Sequence, residues 1–155
     1  MICKKILFYI ELNDRITQEF NIMKILKGKC MSQGIIKFKN YSCNIELGRY
    51  NNERLAIKLI SAVNDMKNEL FLGSPIATAT VNVPEIKIDN NQIIIKSYME
   101  NDGMLETLEQ YGYIKKFKKV NIGFVDVYVC DKSKKLKELE NSWFNTKENI
   151  KKLKP

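Results

Sequence analysis

The 155-residue chain contains no histidine. Its absence removes the commonest general base and the usual partner of a serine or cysteine nucleophile, leaving any enzymatic reading only carboxylate, lysine or tyrosine chemistry. Glycine-rich phosphate loops are missing as well: the seven glycines, at 28, 34, 48, 73, 103, 112 and 123, stand singly, and neither GxGxxG nor GxxxxGK[ST] occurs. Four cysteines, Cys3, Cys30, Cys43 and Cys130, form no CxxC pair and have no histidine to complete a zinc site, so they read as small hydrophobes kept reduced. No apolar run approaches the roughly 20 residues that cross a bilayer. The run ILFYI near the start is short, is followed by Glu11 and Asp14, and lacks a small-residue cleavage site, so it reads as a strand. These absences lead us to expect a cytoplasmic protein with no metal, no cofactor, no membrane segment and no enzymatic activity.

Arginine is scarce too. Of 26 basic residues 23 are lysine, and only Arg15, Arg49 and Arg54 carry the guanidinium fork that suits phosphates and base edges. The net charge of +8 is unevenly spread: residues 1–40 carry +5, residues 41–130 carry −1 and residues 131–155 carry +4. A near-neutral centre flanked by basic ends suits contact with RNA or DNA or with an acidic protein face. At this length folding buries roughly 68–70% of the unfolded chain's surface, enough for one core without staples. The expected organisation is a single domain over 1–155, with a basic strand–helix addition at 1–40, a core at 41–130 and a basic helical tail at 131–155.

Periodicity supplies the elements. A strand over Lys5–Leu12 is followed by a helix with Ile16, Phe20 and Met23 at helical spacing, ended by Gly28. From Gly34 the period changes: IIKFK, SCNIELGRY and RLAIKLISAV are short, rich in β-formers and separated by turn residues such as Asn40 and Asn51–Asn52. In RLAIKLI, Leu55, Ile57 and Leu59 alternate with Arg54, Ala56 and Lys58, placing one face on the core. The run from Ser74 to Val83 reads as a central strand closed by Pro84, and QIIIKSY as a strand buried on both faces. The fold expected is α+β: a mainly antiparallel sheet of about seven short strands, one early helix, one helix on the sheet and a helical C-terminal tail.

Three stretches are candidate sites. In MENDGMLETLEQYGYI, Asn101, Asp102 or Gly103 starts a helix whose stripe is Met104, Leu105, Leu108 and Tyr111, and Gly112 supplies the left-handed stop. Glu100, Asp102 and Glu106 beside it form an acidic patch, the alternative site for a carboxylate-dependent enzyme. KKFKK, as a loop leading into FVDVYVC, sets Lys115, Lys116, Lys118 and Lys119 around Phe117, a mixture that can bind phosphates and stack bases. In the tail, Leu136, Leu139, Trp143 and Phe144 anchor one or two helical turns, and Trp143 with Phe144 is a partner hot spot if exposed.

The series LGRYNNERLAIKLI, GSPIATATVNVP, IIIKSYMENDGMLETLEQYG and GFVDVYVC resembles a small domain family of unassigned function associated with plasmids, integrative elements and phages. The resemblance spans about residues 42–130, and ATATVNVP and MENDGMLE are its most specific parts. It implies no catalytic residue. What it implies is an accessory role on a mobile element: an anti-defence factor such as an anti-CRISPR protein, inhibiting a host defence nucleoprotein stoichiometrically, with a nucleic-acid-binding accessory protein as the alternative.

Overall fold

The computed structural model describes residues 34–152, with the backbone alone at 116, 117, 149 and 150. The expected strand at 5–12 and the helix ending at Gly28 lie outside the described residues.

Two antiparallel sheets and two helices make up the described chain, an α+β fold. The first sheet runs in the order β1-β2-β3-β4, with β1 Ile36–Phe38, β2 Tyr41–Arg49, β3 Leu55–Ser61 and β4 Pro75–Thr78. Alternation dictates its inner face: Cys43, Ile45 and Leu47 of β2 and Leu55, Ile57 and Leu59 of β3 are buried, while Lys58 is exposed. The second sheet has the order β5-β7-β6, with β5 Gln92–Lys96, β6 Ile114–Ile122 and β7 Val125–Lys132. As its unbroken apolar run predicts, β5 is buried on both sides. Ile93 and Ile95 join the cluster under the first sheet, and Ile94 joins Val127 and Val129 in a second cluster covered by Val81, Val83, Ile86 and Ile88.

The run from Ser74 to Val83 is shorter as a strand than expected and is not central in its sheet. β4 stops at Thr78 and lies at the sheet edge. The chain then crosses between the sheets: Ala79 N–H donates to Ile57 C=O at 2.8 Å, Lys96 N–H to Ala79 C=O at 3.0 Å and Val81 N–H to Ile94 C=O at 3.0 Å. Small residues let that backbone run close to both neighbours. Buried Thr80 completes the crossing, its Oγ1 accepting from Ile57 N–H at 3.0 Å and lying 3.0 Å from the Tyr50 hydroxyl.

Helix α1, Met104–Gln110, packs Met104, Leu105 and Leu108 into the main cluster, as the stripe predicts. Its end is a Schellman motif: Gly112, at φ +73°, donates to Glu109 C=O at 2.9 Å, and Tyr113 N–H donates to Leu108 C=O at 3.0 Å. Of the three candidate starts, Asn101, Asp102 and Gly103, the structure uses Gly103. Gly103, at φ +83°, holds the cap position without a side-chain bond, and the Leu105 amide donates instead to Ser97 Oγ at 3.2 Å.

KKFKK is strand, not loop. It lies within β6, paired along its length with β7. What hid it is a bulge: register passes from Lys116↔Cys130 to Lys118↔Val129, leaving Phe117 as the extra residue. The bulge shifts the alternation, so Ile114 joins the main cluster and Val120 and Ile122 join the second one. The tail is also longer than one or two turns. Helix α2 runs Lys134–Lys152, nineteen residues, with Leu136 fully buried and Leu139, Trp143 and Phe144 partly buried on the main cluster. Ile36 and Phe38 of the 1–40 segment and Leu136 of the 131–155 segment thus share one core with the centre. Among the described residues no helix is long and apolar enough to cross a membrane.

Candidate functional site

Three surfaces bear on function: the lysine strand, the groove beside α2, and a loop that the sequence did not single out. Lysines 115 and 118 of β6 are exposed, and among the described residues neither is ion-paired. Lys119 is committed. Its Nζ lies 2.7 Å from Asp126 Oδ2, which raises the lysine's pKa and, with a hydrogen bond from Asn121, lowers that of Asp126. β6 is a sheet edge, where lysine commonly blocks pairing with another strand. At the end of the β6–β7 hairpin the turn Gly123–Phe124 exposes Phe124 at 106%.

Trp143 and Phe144 dock on the body rather than standing free. Phe144 stacks under the Arg49 guanidinium at 4.3 Å, and Lys147 lies 5.4 Å from the Trp143 ring centroid. Two concavities of about 470 and about 650 Å³ share Arg49 and Glu53. The first also includes Arg54, Lys132 and Glu140, the second Phe144, Lys147 and Lys151. This groove therefore gathers two of the chain's three arginines, yet both are occupied. Arg49 donates to Glu53 C=O at 2.9 Å and reaches Glu140 at 3.3 Å, while Glu140 pairs with Lys132 at 2.9 Å, both side chains being largely buried. Arg54 donates to Val83 C=O at 2.7 Å and Ile86 C=O at 2.8 Å, pinning the segment that covers the second sheet. Both forks are engaged in contacts within the protein, although the Arg49 side chain stays 37% exposed.

The acidic patch is likewise engaged in part. Glu100 pairs with Lys96 at 3.1 Å and its backbone C=O accepts from Lys39 Nζ at 2.8 Å. Its pKa is lowered, by its own backbone amide first and then by Lys96. Asp102 and Glu106 are exposed near the start of α1. Among the described residues no group of three or more Cys, Asp or Glu side chains is placed to hold a metal ion.

The third surface is the connection from β3 to β4, residues 62–74. It exposes Val63, Met66, Phe71 and Leu72 at 43%, 75%, 60% and 49%. Exposed as they are, they stand on a rigid base. Asp65 Oδ1 accepts from the amides of Lys67 and Asn68 at 3.1 and 3.4 Å, and Asp65 Oδ2 accepts from Asn68 Nδ2 at 2.7 Å. Asp65 and Leu70 exchange both backbone bonds at 2.7 and 2.9 Å, and Leu72 N–H donates to Asn64 Oδ1 at 2.8 Å. Ser74 Oγ accepts from Phe71 N–H at 3.1 Å and Gly73 N–H returns to Ser61 C=O at 2.8 Å. The only sequence signal was NDMKNELFLGS itself, polar turn residues interleaved with large apolar ones that no period assigns to a buried face.

The fold and these surfaces define an α+β domain with a preformed apolar loop and a basic hairpin. No protein-family model, curated protein or solved structure matches the chain.

Proposed function

We propose that this protein is a stoichiometric inhibitor of a host defence nucleoprotein effector, of the anti-CRISPR type, acting in the host cytoplasm by binding rather than by catalysis. The observation that carries the reading is the rigid loop bearing Val63, Met66, Phe71 and Leu72. Isolated exposed apolar residues are ordinary, but four within the single connection 62–74 are a concentration of the kind found at protein contacts. A surface already held by its own hydrogen bonds loses little further entropy on binding, which suits a tight one-to-one complex. Phe71 and Leu72, with Met66, are the anchors expected to enter a recess on the effector. The resemblance to mobile-element accessory proteins supports the same role.

The runner-up, a nucleic-acid-binding accessory protein, is favoured by Lys115 and Lys118 on β6, exposed and unpaired among the described residues. The third reading, a carboxylate-dependent enzyme, has as its residues Glu100, Asp102 and Glu106. Inhibition assays on purified CRISPR effectors, run with naked target strands in excess, separate the readings: an inhibitor titrates to an equimolar end point, whereas a strand binder is relieved by the excess.

A further inference from the structure

The β6–β7 hairpin holds a feature that edge protection does not explain. Lysines on an edge strand keep other strands away, which accounts for Lys115, Lys118 and Lys119. They give no reason for a phenylalanine at the turn. Phe124 is the most exposed large hydrophobic residue described, at 106%, so both ring faces meet solvent. The turn that carries it is tight: Ile122 pairs with Val125, leaving Gly123, at φ +63°, and Phe124 as the two loop residues. Below the tip the ladder is continuous apart from the bulge at Phe117, and Val120 and Ile122 pack on the second cluster. The hairpin is therefore stiff, anchored through β7 to β5, with Phe124 at its solvent-exposed tip.

Charge selects what such an arm meets. From Ile114 to Lys132 it has five lysines against two aspartates. Asp126 is taken up by Lys119, and Asp131 accepts from Gln92 Nε2 at 3.2 Å. Lys115 and Lys118 remain exposed toward a polyanion. They precede the tip by nine and six residues, about 30 and 20 Å along a strand at ~3.3 Å per residue. An acidic protein face would be matched by the lysines alone, whereas a nucleic acid strand uses both features, phosphates for the lysines and bases for the ring. A duplex groove would require a base step to be opened at a cost of a few kcal/mol, which so few phosphate contacts do not readily offset, so an unpaired strand fits better.

We propose that the β6–β7 hairpin is an arm that grips single-stranded nucleic acid, Lys115 and Lys118 contacting phosphates and Phe124 stacking on a base. This adds a second surface to the apolar loop and rests on the inhibitor reading only for its setting, the exposed strand of a nucleoprotein.

The test is fluorescence anisotropy of labelled oligothymidine and oligouridine, each of about 16 nucleotides, titrated with the full chain and its variants over a range of salt. The proposal expects both oligonucleotides to bind. Phe124→Ser should weaken binding roughly 5- to 100-fold, as loss of one stacked base does, and Phe124→Trp should retain binding with its emission quenched. Lys115→Gln with Lys118→Gln should lower the salt slope by about 1.4, some 0.7 for each lost contact to a single strand. Binding that is equal for Phe124→Ser and the native chain would overturn it, as would absence of binding or equal affinity for polyglutamate. Phe71→Asp with Leu72→Asp should abolish effector inhibition and leave oligonucleotide binding intact, so failure at one surface is read apart from failure at the other.

Discussion

The side-chain amide of Asn101 donates to the carbonyl of Thr78 at 2.6 Å, joining the two stretches ATATVNVP and MENDGMLE. Asn101 is fully buried, and a weaker bond at 3.5 Å runs from the same nitrogen to Lys96 C=O. Both neighbours are acceptors, so the NH₂ end must face them, and among the described residues Oδ1 has no partner. The motifs are thus a structural seam: one closes the crossing between sheets, the other leads into α1.

Removing this amide tests the seam. Asn101→Ala should cost about 1–3 kcal/mol by leaving buried carbonyls unsatisfied, and Asn101→Asp more, since its carboxylate would face two carbonyl oxygens. Urea unfolding followed by circular dichroism measures it, and a loss under about 0.5 kcal/mol would show that the seam does not need the bond.

Glu140, on α2, is a hub between the helix and the sheets. Its carboxylate pairs with Lys132, whose side chain is 7% exposed, and with Arg49. Glu140→Gln leaves that lysine without its counter-charge, a change that costs about 3–5 kcal/mol at buried pairs. The chevron or urea midpoint should fall accordingly, little affected by salt. A fall of a few tenths of a kcal/mol would mean that Lys132 escapes to solvent.

Acid should loosen the apolar loop. The Asn68 side-chain amide first, and then the Asn68 and Lys67 backbone amides, hold the Asp65 carboxyl below its usual pKa. A carboxylate depressed in the folded state stabilises it above the ordinary aspartate value of about 3.9 and ceases to do so as pH falls through the lower folded value. Amide hydrogen exchange at Lys67 and Asn68 should therefore quicken, relative to β2 and β3, only below pH ~4. Quickening between neutrality and pH ~5 would assign the hold to another group.

Thiol chemistry should be silent in the native state. Cys43 and Cys130 are fully buried, and burial pushes the Cys43 pKa up to about 11 despite opposing effects from the Phe38 backbone and Lys37. In a chain carrying Cys3→Ser and Cys30→Ser, an aromatic disulfide reagent should label both at the rate of unfolding. A rapid phase at either one would contradict their burial.

Local signals reached some elements and not others. β2 was legible because its buried residues alternate with partly exposed ones, β3 only in part because Ala56, expected toward solvent, is buried with Leu55 and Ile57, β5 because three isoleucines in a row need two buried faces, and the end of α1 because only glycine takes φ +73° without strain. β6 was misread because its bulge breaks the alternation at the lysine cluster. α2 outran its expected length because Asn141, Ser142, Asn145 and Thr146 are weak helix formers, overridden by Leu136, Leu139, Trp143 and the Arg49–Phe144 stack. The arginine count was read as bearing on nucleic acid, yet Arg49 and Arg54 are spent on internal contacts that sequence neighbours do not reveal. The apolar loop and Phe124 stayed hidden because exposure is a property of the folded surface, and neither shows periodicity.

We propose that Val63, Met66, Phe71 and Leu72 bind a defence effector one to one. The most direct measurement is inhibition of a panel of purified, guide-loaded CRISPR effectors by the native chain and by Phe71→Asp with Leu72→Asp, two exposed positions whose replacement should leave the unfolding free energy within the roughly ±0.5 kcal/mol of ordinary surface changes. The account predicts that the native chain silences one effector at equimolar amounts and co-elutes with it after nuclease treatment, while the double variant does neither. Equal inhibition by the double variant, or capture that disappears with the nucleic acid, would contradict it.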